Sequence, residues 1–287
     1  MSSPFDSSQS LSSSQSQSSQ SQSSQSSPSS QNPQNPIELY GLKSDLILPN
    51  DDLFLILKKA FQNAGQTPQE HDILVIAESA LATSQNRIVR LSDIVPGPQA
   101  LEYEKTCQID AREAELVIAE SDVVFGGVFG VLLTLKDGLL CPNAGIDNSN
   151  APEGCVVLYP KEPSKSAFQI AKAVFETYGV HIGVIIADSR TQPLRLGCTG
   201  VAIGAAGFLA VEDKRGAVDL FGKKLLVTQI AVADILASAA QAVMGESNAQ
   251  IPFVLIRNTS ASFDPKEIGI RMITPEECMY WGVLQKK

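Results

Sequence analysis

The chain predicts a mixed α/β (α+β) fold, and three observations carry that reading. Short β-branched runs, DILVIA, HIGVIIAD and IPFVLIR, are the length of buried strands. Between them lie longer segments whose apolar residues repeat at helical spacing. Finally, 44% of the 287 residues are apolar, ordinary for a globular protein and enough to build a core without staples.

Residues 1–36 are almost entirely Ser, Gln, Pro and Asn and have little to bury, so they are expected to be a disordered tail. Residues 37–287 are expected to form the folded region, as two closely packed subdomains. Asp51 or Asp52 is placed to cap a helix over LFLILKKAFQNAG, which Gly65 would end. DILVIA reads as a strand, and Glu78, Ser79, Thr83, Ser84, Gln85 and Asn86 read as a polar loop leaving its end. RIVRL resumes a strand pattern, and DAREAELVIAESD an amphipathic helix.

The stretch CPNAGIDNSN, Cys141 to Asn150, lies between two apolar runs. It combines a permissive Gly145 with Asp147, Asn148, Ser149 and Asn150. Either it is an Asx-turn that joins two strands, or its oxygens are gathered for a hard cation. PSKSAFQIAKAVFETYGV predicts a helix capped by Ser164 and stopped by Gly179. HIGVIIADSR follows as a strand, with Asp188 and Ser189 just past its end, where ligands of α/β proteins collect. A turn cap would explain that acid equally well.

GCTGVAIGAAG lacks the spacing of a dinucleotide or P-loop fingerprint. It is either tight backbone packing or a glycine-lined channel. DKRGAVDLFGKKL concentrates Lys214, Arg215, Lys223 and Lys224, in a solvated hairpin or an anion site. LLVTQIAVADILASAAQAVMGE reads as the longest helix, with Glu246 beyond its glycine stop. From Asn258 onward the sequence gives no chemistry.

Composition narrows the function. A net charge of −9 argues against nucleic acid and anionic membrane as partners. The five cysteines are scattered without a C-x-x-C pair, and there are two histidines, so neither a disulfide framework nor a His-rich metal site is expected. No apolar run suits a membrane helix and no signal-peptide pattern opens the chain, so a cytoplasmic protein is expected. Asp147, Asp188 and Glu246 occupy three junctions. If the sheet gathers them, they form a hard-oxygen site for Mg²⁺ or Mn²⁺, suited to metal-assisted phosphoryl transfer.

The order of NAGIDNSN, GVIIAD, VAIGAAG, DLFGKKLLVT, VADILA and VMGE, from about Gly41 to Arg257, resembles the gamma-glutamyl ligases of the deazaflavin coenzyme F-420. The resemblance implies that family's mixed α/β fold, an intertwined homodimer with the nucleotide near its interface, and a GTP-dependent reaction. In it a carboxylate becomes an acyl phosphate and the amine of L-glutamate forms an amide with it. It also implies divalent Mg²⁺ or Mn²⁺ and, as a further candidate, a monovalent cation. Asp147 and Asp188 resemble metal ligands at the centre of catalysis, Ser189 a ligand of a second metal, and Glu246 a further ligand. Nucleotide contacts are implied for Gly41, Leu42, Glu78, Ser79, Thr83 and Asn150, and for the Met244–Ile251 segment with Gly245, Glu246 and Ser247.

Departures from the family pattern are specific. Where the family typically carries S-K-x-x-S-K-A-E-G-R, this chain has ESALATSQNR. Thr83 stands for the lysine, Gln85 for the acid and Asn86 for the glycine, while Arg87 is kept. A lost charge-assisted phosphate contact is worth roughly 1.5–3 kcal/mol, about tenfold or more in affinity. After Asp188 the chain reads SRTQP, with Arg190 where the family has a small residue and Arg195 and Gly197 further on. A non-catalytic paralogue, a dimeric scaffold for a nucleotide or metal, is the competing expectation.

Overall fold

The computed structural model describes residues 35–284, so the expectation for the tail lies outside the described residues except at its last two positions. In chain order the elements are β1 (Glu38–Leu42), α1 (Leu53–Asn63), β2 (Ile73–Ala77), α2 (Glu78–Ser84), β3 (Ile88–Arg90), α3 (Pro98–Cys107), α4 (Ala111–Glu120), β4 (Val123–Val128), β5 (Val131–Lys136), β6 (Leu139–Pro142), β7 (Cys155–Val157), α5 (Pro163–Tyr178), β8 (Gly183–Thr191), β9 (Cys198–Phe208), β10 (Glu212–Asp213), β11 (Gln229–Ile230), α6 (Val232–Met244), β12 (Phe253–Arg257), β13 (Phe263–Ile268) and α7 (Met279–Leu284).

A mixed six-stranded sheet, ordered β1-β12-β2-β8-β9-β13, forms the frame. Its strands are antiparallel to their neighbours except β2 and β8, which run parallel with Ala77 beside Ala187. Leu74, Ile76, Val184 and Ile186 face α1 and α5, whereas Val75, Ile185 and Val254 face α6. Both sheet faces are therefore dry, which explains apolar runs in β2, β8 and β12 where a half-exposed strand would alternate. A second lobe packs α3 and α4 on the β4-β5-β6 meander, with Leu132, Ala114 and Val117 in its core.

Asp52 caps α1, accepting from the Leu55 N–H at 3.0 Å. The residues after β2 are not a loop: Glu78–Ser84 form α2, because Ala80, Leu81 and Ala82 are buried and Ala and Leu favour helix. Ser164 is not the cap of α5. Pro163 opens that helix and Glu162 stands before it, so Ser164 already lies inside. With 16 residues α5 is the longest helix among those described; α6 has 13, because Gln229–Ile230 pair with Glu212–Asp213 as strand. Asp188 lies within β8 rather than past it, since pairing with β9 continues to Thr191 after a bulge at Ile186–Ala187. α3, with Ala100 and Cys107 as its buried residues, and β13 were not anticipated from the sequence.

The glycine-rich β9 is a close-packing device. A Cβ at Gly200 would stand 2.5 Å from the Ala237 carbonyl oxygen of α6, and one at Gly204 2.6 Å from the Pro163 backbone of α5. Both helices thus lie against the strand at distances only glycine permits. Residues 211–230 form an exposed hairpin, as one reading of the basic stretch expected, with Lys214 on Glu212 and Arg215 on Asp213.

Candidate active site

The carboxyl ends of β2 and β8 open side by side, so their parallel register sets Glu78 near Asp188. A cleft of about 420 Å³ lies over this point. The loop after β6 supplies Asp147, Ser149 and Asn150; β8 supplies Asp188 and Ser189; α2 supplies Glu78, Ser79 and Thr83. The end of α6 and the turn after it add Gln241, Met244, Gly245, Glu246 and Ser247. Gly245, at φ 71°, ends the helix and turns the chain toward β12.

The structure therefore brings Asp147, Asp188, Ser189 and Glu246 to one cleft, together with Glu78, Ser79, Thr83, Asn150, Met244, Gly245 and Ser247. Gly41 and Leu42 are not part of the wall. They lie in β1, Gly41 against Val243 and Ile251, and it is Ser44–Ile47, just beyond, that face the opening. Asp45 and Gln241 also line the wall and were missed. Asp45 follows the end of β1 beside Ser44, a junction position like those of the other acids. Gln241 sits inside a helix of small residues and carried none.

Five carboxylates line this cleft (Asp45, Glu78, Asp147, Asp188 and Glu246), and among the described residues no lysine, arginine or histidine does. The electrostatics follow. Burial holds the Glu78 carboxyl well above its ordinary range, and the neighbouring Asp188 and Asp147 charges push it further, with Arg190 opposing. Burial also raises Asp188, despite the Arg190 guanidinium and the Ser189 N–H beside it. Arg190 Nε donates to Asp188 Oδ2 at 2.8 Å, two residues along the strand on the same face. Asp147 accepts from the Ser149 N–H at 2.8 Å and from its hydroxyl. Glu246 accepts from Gln241 Nε2.

The side chains present fit a hard divalent cation in donor type, because every charged group in the wall is an oxygen acid. They do not form a closed shell: among the described residues no three His, Cys, Asp or Glu side chains stand together as a metal site. The three acids share one cleft without converging as a triad, since Arg190, Ser149 and Gln241 engage them separately. Where Mg²⁺ binds proteins it is usually held by one or two carboxylates and completed by water and phosphate oxygens, so a closed protein shell is not required for it.

Arg87 lies apart from the cleft. It donates to the Tyr159 carbonyl oxygen at 3.0 Å and to Glu120 at 2.8 Å, and Lys136 joins the same carboxylate at 3.2 Å. Burial favours the protonated form of Glu120, but the two cations outweigh it and hold the carboxyl below its ordinary value. Gln85 braces the start of α5, accepting from the Lys161 N–H at 2.7 Å and donating back to its carbonyl at 3.0 Å. These two positions of the altered segment therefore tie α2 to its surroundings.

Fold and site together define a mixed α/β protein with an acid-lined cleft at the ends of two parallel strands. The chain belongs to the F420-0:Gamma-glutamyl ligase family, whose model matches residues 41–258. It is 35% identical over 212 residues to the coenzyme F420:L-glutamate ligase of Methanopyrus kandleri, covering 74% of this chain and 82% of that one. The protein of the same name from Methanocaldococcus jannaschii is 37% identical over 210 residues, covering 73% and 84%. That of Methanosarcina mazei is 40% identical over 189 residues, covering 66% and 74%. No described helix is long and apolar enough to cross a membrane.

Proposed function

We propose that this protein is a GTP-dependent ligase that forms an amide between L-glutamate and a carboxylate-bearing small molecule of the F420 type. One observation supports it most: a cleft walled by five acids and, among the described residues, no lysine, arginine or histidine. A triphosphate entering alone would meet mostly like charge, offset only at Asp188 by Arg190, so it is expected to arrive with cations. Asp147, Asp188, Ser189 and Glu246 would hold Mg²⁺ or Mn²⁺, which when bound supplies charge neutralisation at the transferring phosphate. A monovalent cation belongs to the same reading as a further candidate.

The chain's own residues do the rest. Ser79, Thr83, Asn150 and Ser247 offer neutral hydrogen bonds to the nucleotide, and Arg190 holds Asp188 in orientation. The acceptor carboxylate attacks the γ-phosphorus, giving an acyl phosphate and GDP. The glutamate amine then attacks the acyl carbon, phosphate leaves, and the amine proton passes to solvent or phosphate. Positioning supplies most of the acceleration in such transfers. The family's homodimer is part of the same reading, supported by the exposed apolar hairpin at residues 211–230.

A non-catalytic scaffold is the second reading. Two observations favour it: Thr83 in the cleft wall brings no charge to phosphate, and Arg190 already occupies Asp188. One experiment separates the two. The protein is incubated with coenzyme F420 or its glutamate-free precursor, GTP, Mn²⁺ and labelled glutamate, and products are weighed by mass spectrometry. The ligase yields GDP and a labelled glutamyl product; a scaffold yields neither, while Mn²⁺ and GTP still raise its melting temperature.

A further inference from the structure

Asp147 reaches the cleft from a loop whose backbone needs holding. Asn143, Ala144, Gly145 and Asn150 all have positive φ, at 48°, 54°, 72° and 55°. Such conformations persist where the surroundings over-determine them. Two of the restraints are neutral. The fully buried Thr134 hydroxyl accepts from the Ala144 N–H at 2.9 Å, and the Asp147 backbone pairs with Val157 at 3.0 and 2.8 Å.

The third restraint is an acid outside the cleft wall. Glu113, on α4, is 7% exposed. Its Oε2 accepts from Asn148 Nδ2 at 2.9 Å, and its Oε1 faces Asn143 Nδ2 at a longer 3.4 Å. Asn143 is fixed in turn, since its Oδ1 accepts from the Leu132 N–H at 2.8 Å. One carboxylate thus reaches both sides of the Ile146–Asp147 step. No described cation pairs with it; the neighbouring Arg112 is engaged with Asp110.

A buried unpaired acid is expensive, so its chemistry has to matter at this position. Two amide N–H groups from one loop point at Glu113, and both need acceptors. A carboxylate offers two acceptor oxygens and no donor, whereas a glutamine would set its own N–H₂ against one of the amides.

We propose that Glu113 is a positioning residue of the cleft, clamping Asn143 and Asn148 so that Asp147 and Asn150 are presented together to a metal-bound phosphate. What is bound rests on the ligase reading above; the clamp itself rests on the contacts of Glu113.

The test uses the full chain with Glu113→Gln, Glu113→Ala and Asn148→Ala. Amide hydrogen exchange over residues 143–150 and Mn²⁺ affinity are measured beside the KM for GTP and kcat. Expected are faster exchange in that loop and an affinity for Mn²⁺ lowered about 10- to 100-fold in Glu113→Ala. Glu113→Gln should fall between it and the wild type. A variant combining Glu113→Ala with Asn148→Ala should lose less than the sum of the two single losses, since both remove one interaction.

A brace with no role in the cleft would lower the melting temperature and leave Mn²⁺ affinity and KM unchanged, which overturns the proposal. If Glu113→Ala does not fold, the exposed Asn148→Ala decides alone, and unaltered exchange and affinity there reject the clamp. A wild type that binds Mn²⁺ but makes no amide sinks the ligase reading and leaves the affinity comparison to judge the clamp. A wild type that binds no Mn²⁺ removes both.

Discussion

Glu78 and Asp188 concentrate the electrostatic cost of the cleft. Because the Glu78 carboxyl is held well above the ordinary glutamate value of 4.5, the unfolded chain releases that proton first as pH rises. The native state then binds more protons than the unfolded one, so Glu78's contribution to stability falls as pH climbs through its raised value. Glu78→Gln, which is never charged, should flatten this fall and be more stable than the wild type toward alkaline pH. Melting temperatures of both proteins across a pH series check it, and parallel curves would contradict the assignment. Asp188→Asn keeps an oxygen for Arg190 while removing the charge. We expect metal-dependent turnover to drop by at least ~100-fold with the fold retained, read by product formation and circular dichroism. Undiminished turnover would take Asp188 out of its proposed role.

At the scale of elements, the glycines of β9 set how closely α5 and α6 approach the sheet. Gly200→Ala would drive a methyl into the Ala237 carbonyl, costing about 1–3 kcal/mol through forced displacement. Since Gly200 and Ala237 both line the cleft, denaturant unfolding should show the loss and nucleotide affinity should weaken with it. Helix α2 offers the opposite experiment. Thr83 faces the cleft, so Thr83→Lys should tighten GTP about tenfold or more, by calorimetric titration, through a charge-assisted contact worth roughly 1.5–3 kcal/mol. Unchanged affinity would mean that the phosphates lie elsewhere. The same helix shows what was legible. DILVIA, GVIIAD and IPFVLIR announced their strands because both faces are buried, leaving an unbroken apolar run. ESALATS reads as a loop because seven residues give barely two turns of periodicity, and its polar letters hide four buried positions, Glu78 among them. The junction acids could be found by their small neighbours, Asp147 near Gly145 and Glu246 after Gly245. Gln241 and Glu113 could not, since each acts from within a helix, where a polar residue usually marks only the solvated face.

Across the whole molecule, the net charge of −9 and the acid-walled cleft make self-association through charge unfavourable, so any dimer is expected to form on apolar surface. The hairpin at residues 211–230 provides it. Leu220 and Phe221 at its tip are 99% and 88% exposed, and Val218, Leu226 and Val227 are exposed beside them. Large side chains gathered on one projecting arm are uncommon on a monomer's surface and mark an interaction site. The arm also carries Lys223 and Lys224, which have no salt bridge among the described residues. The chain should therefore sediment as a homodimer, with the arm of each protomer buried against its partner. Leu220→Glu combined with Phe221→Glu would desolvate two carboxylates in that interface, several kcal/mol each, and should give a folded monomer. The test is sedimentation at micromolar concentration with circular dichroism as the control. A monomeric wild type would show that the arm serves another partner, and a dimeric variant would show that the two protomers meet on another face. Because the arm leads through β11 into α6, whose end lines the cleft, loss of the dimer should weaken nucleotide binding, although neither substituted residue lines it.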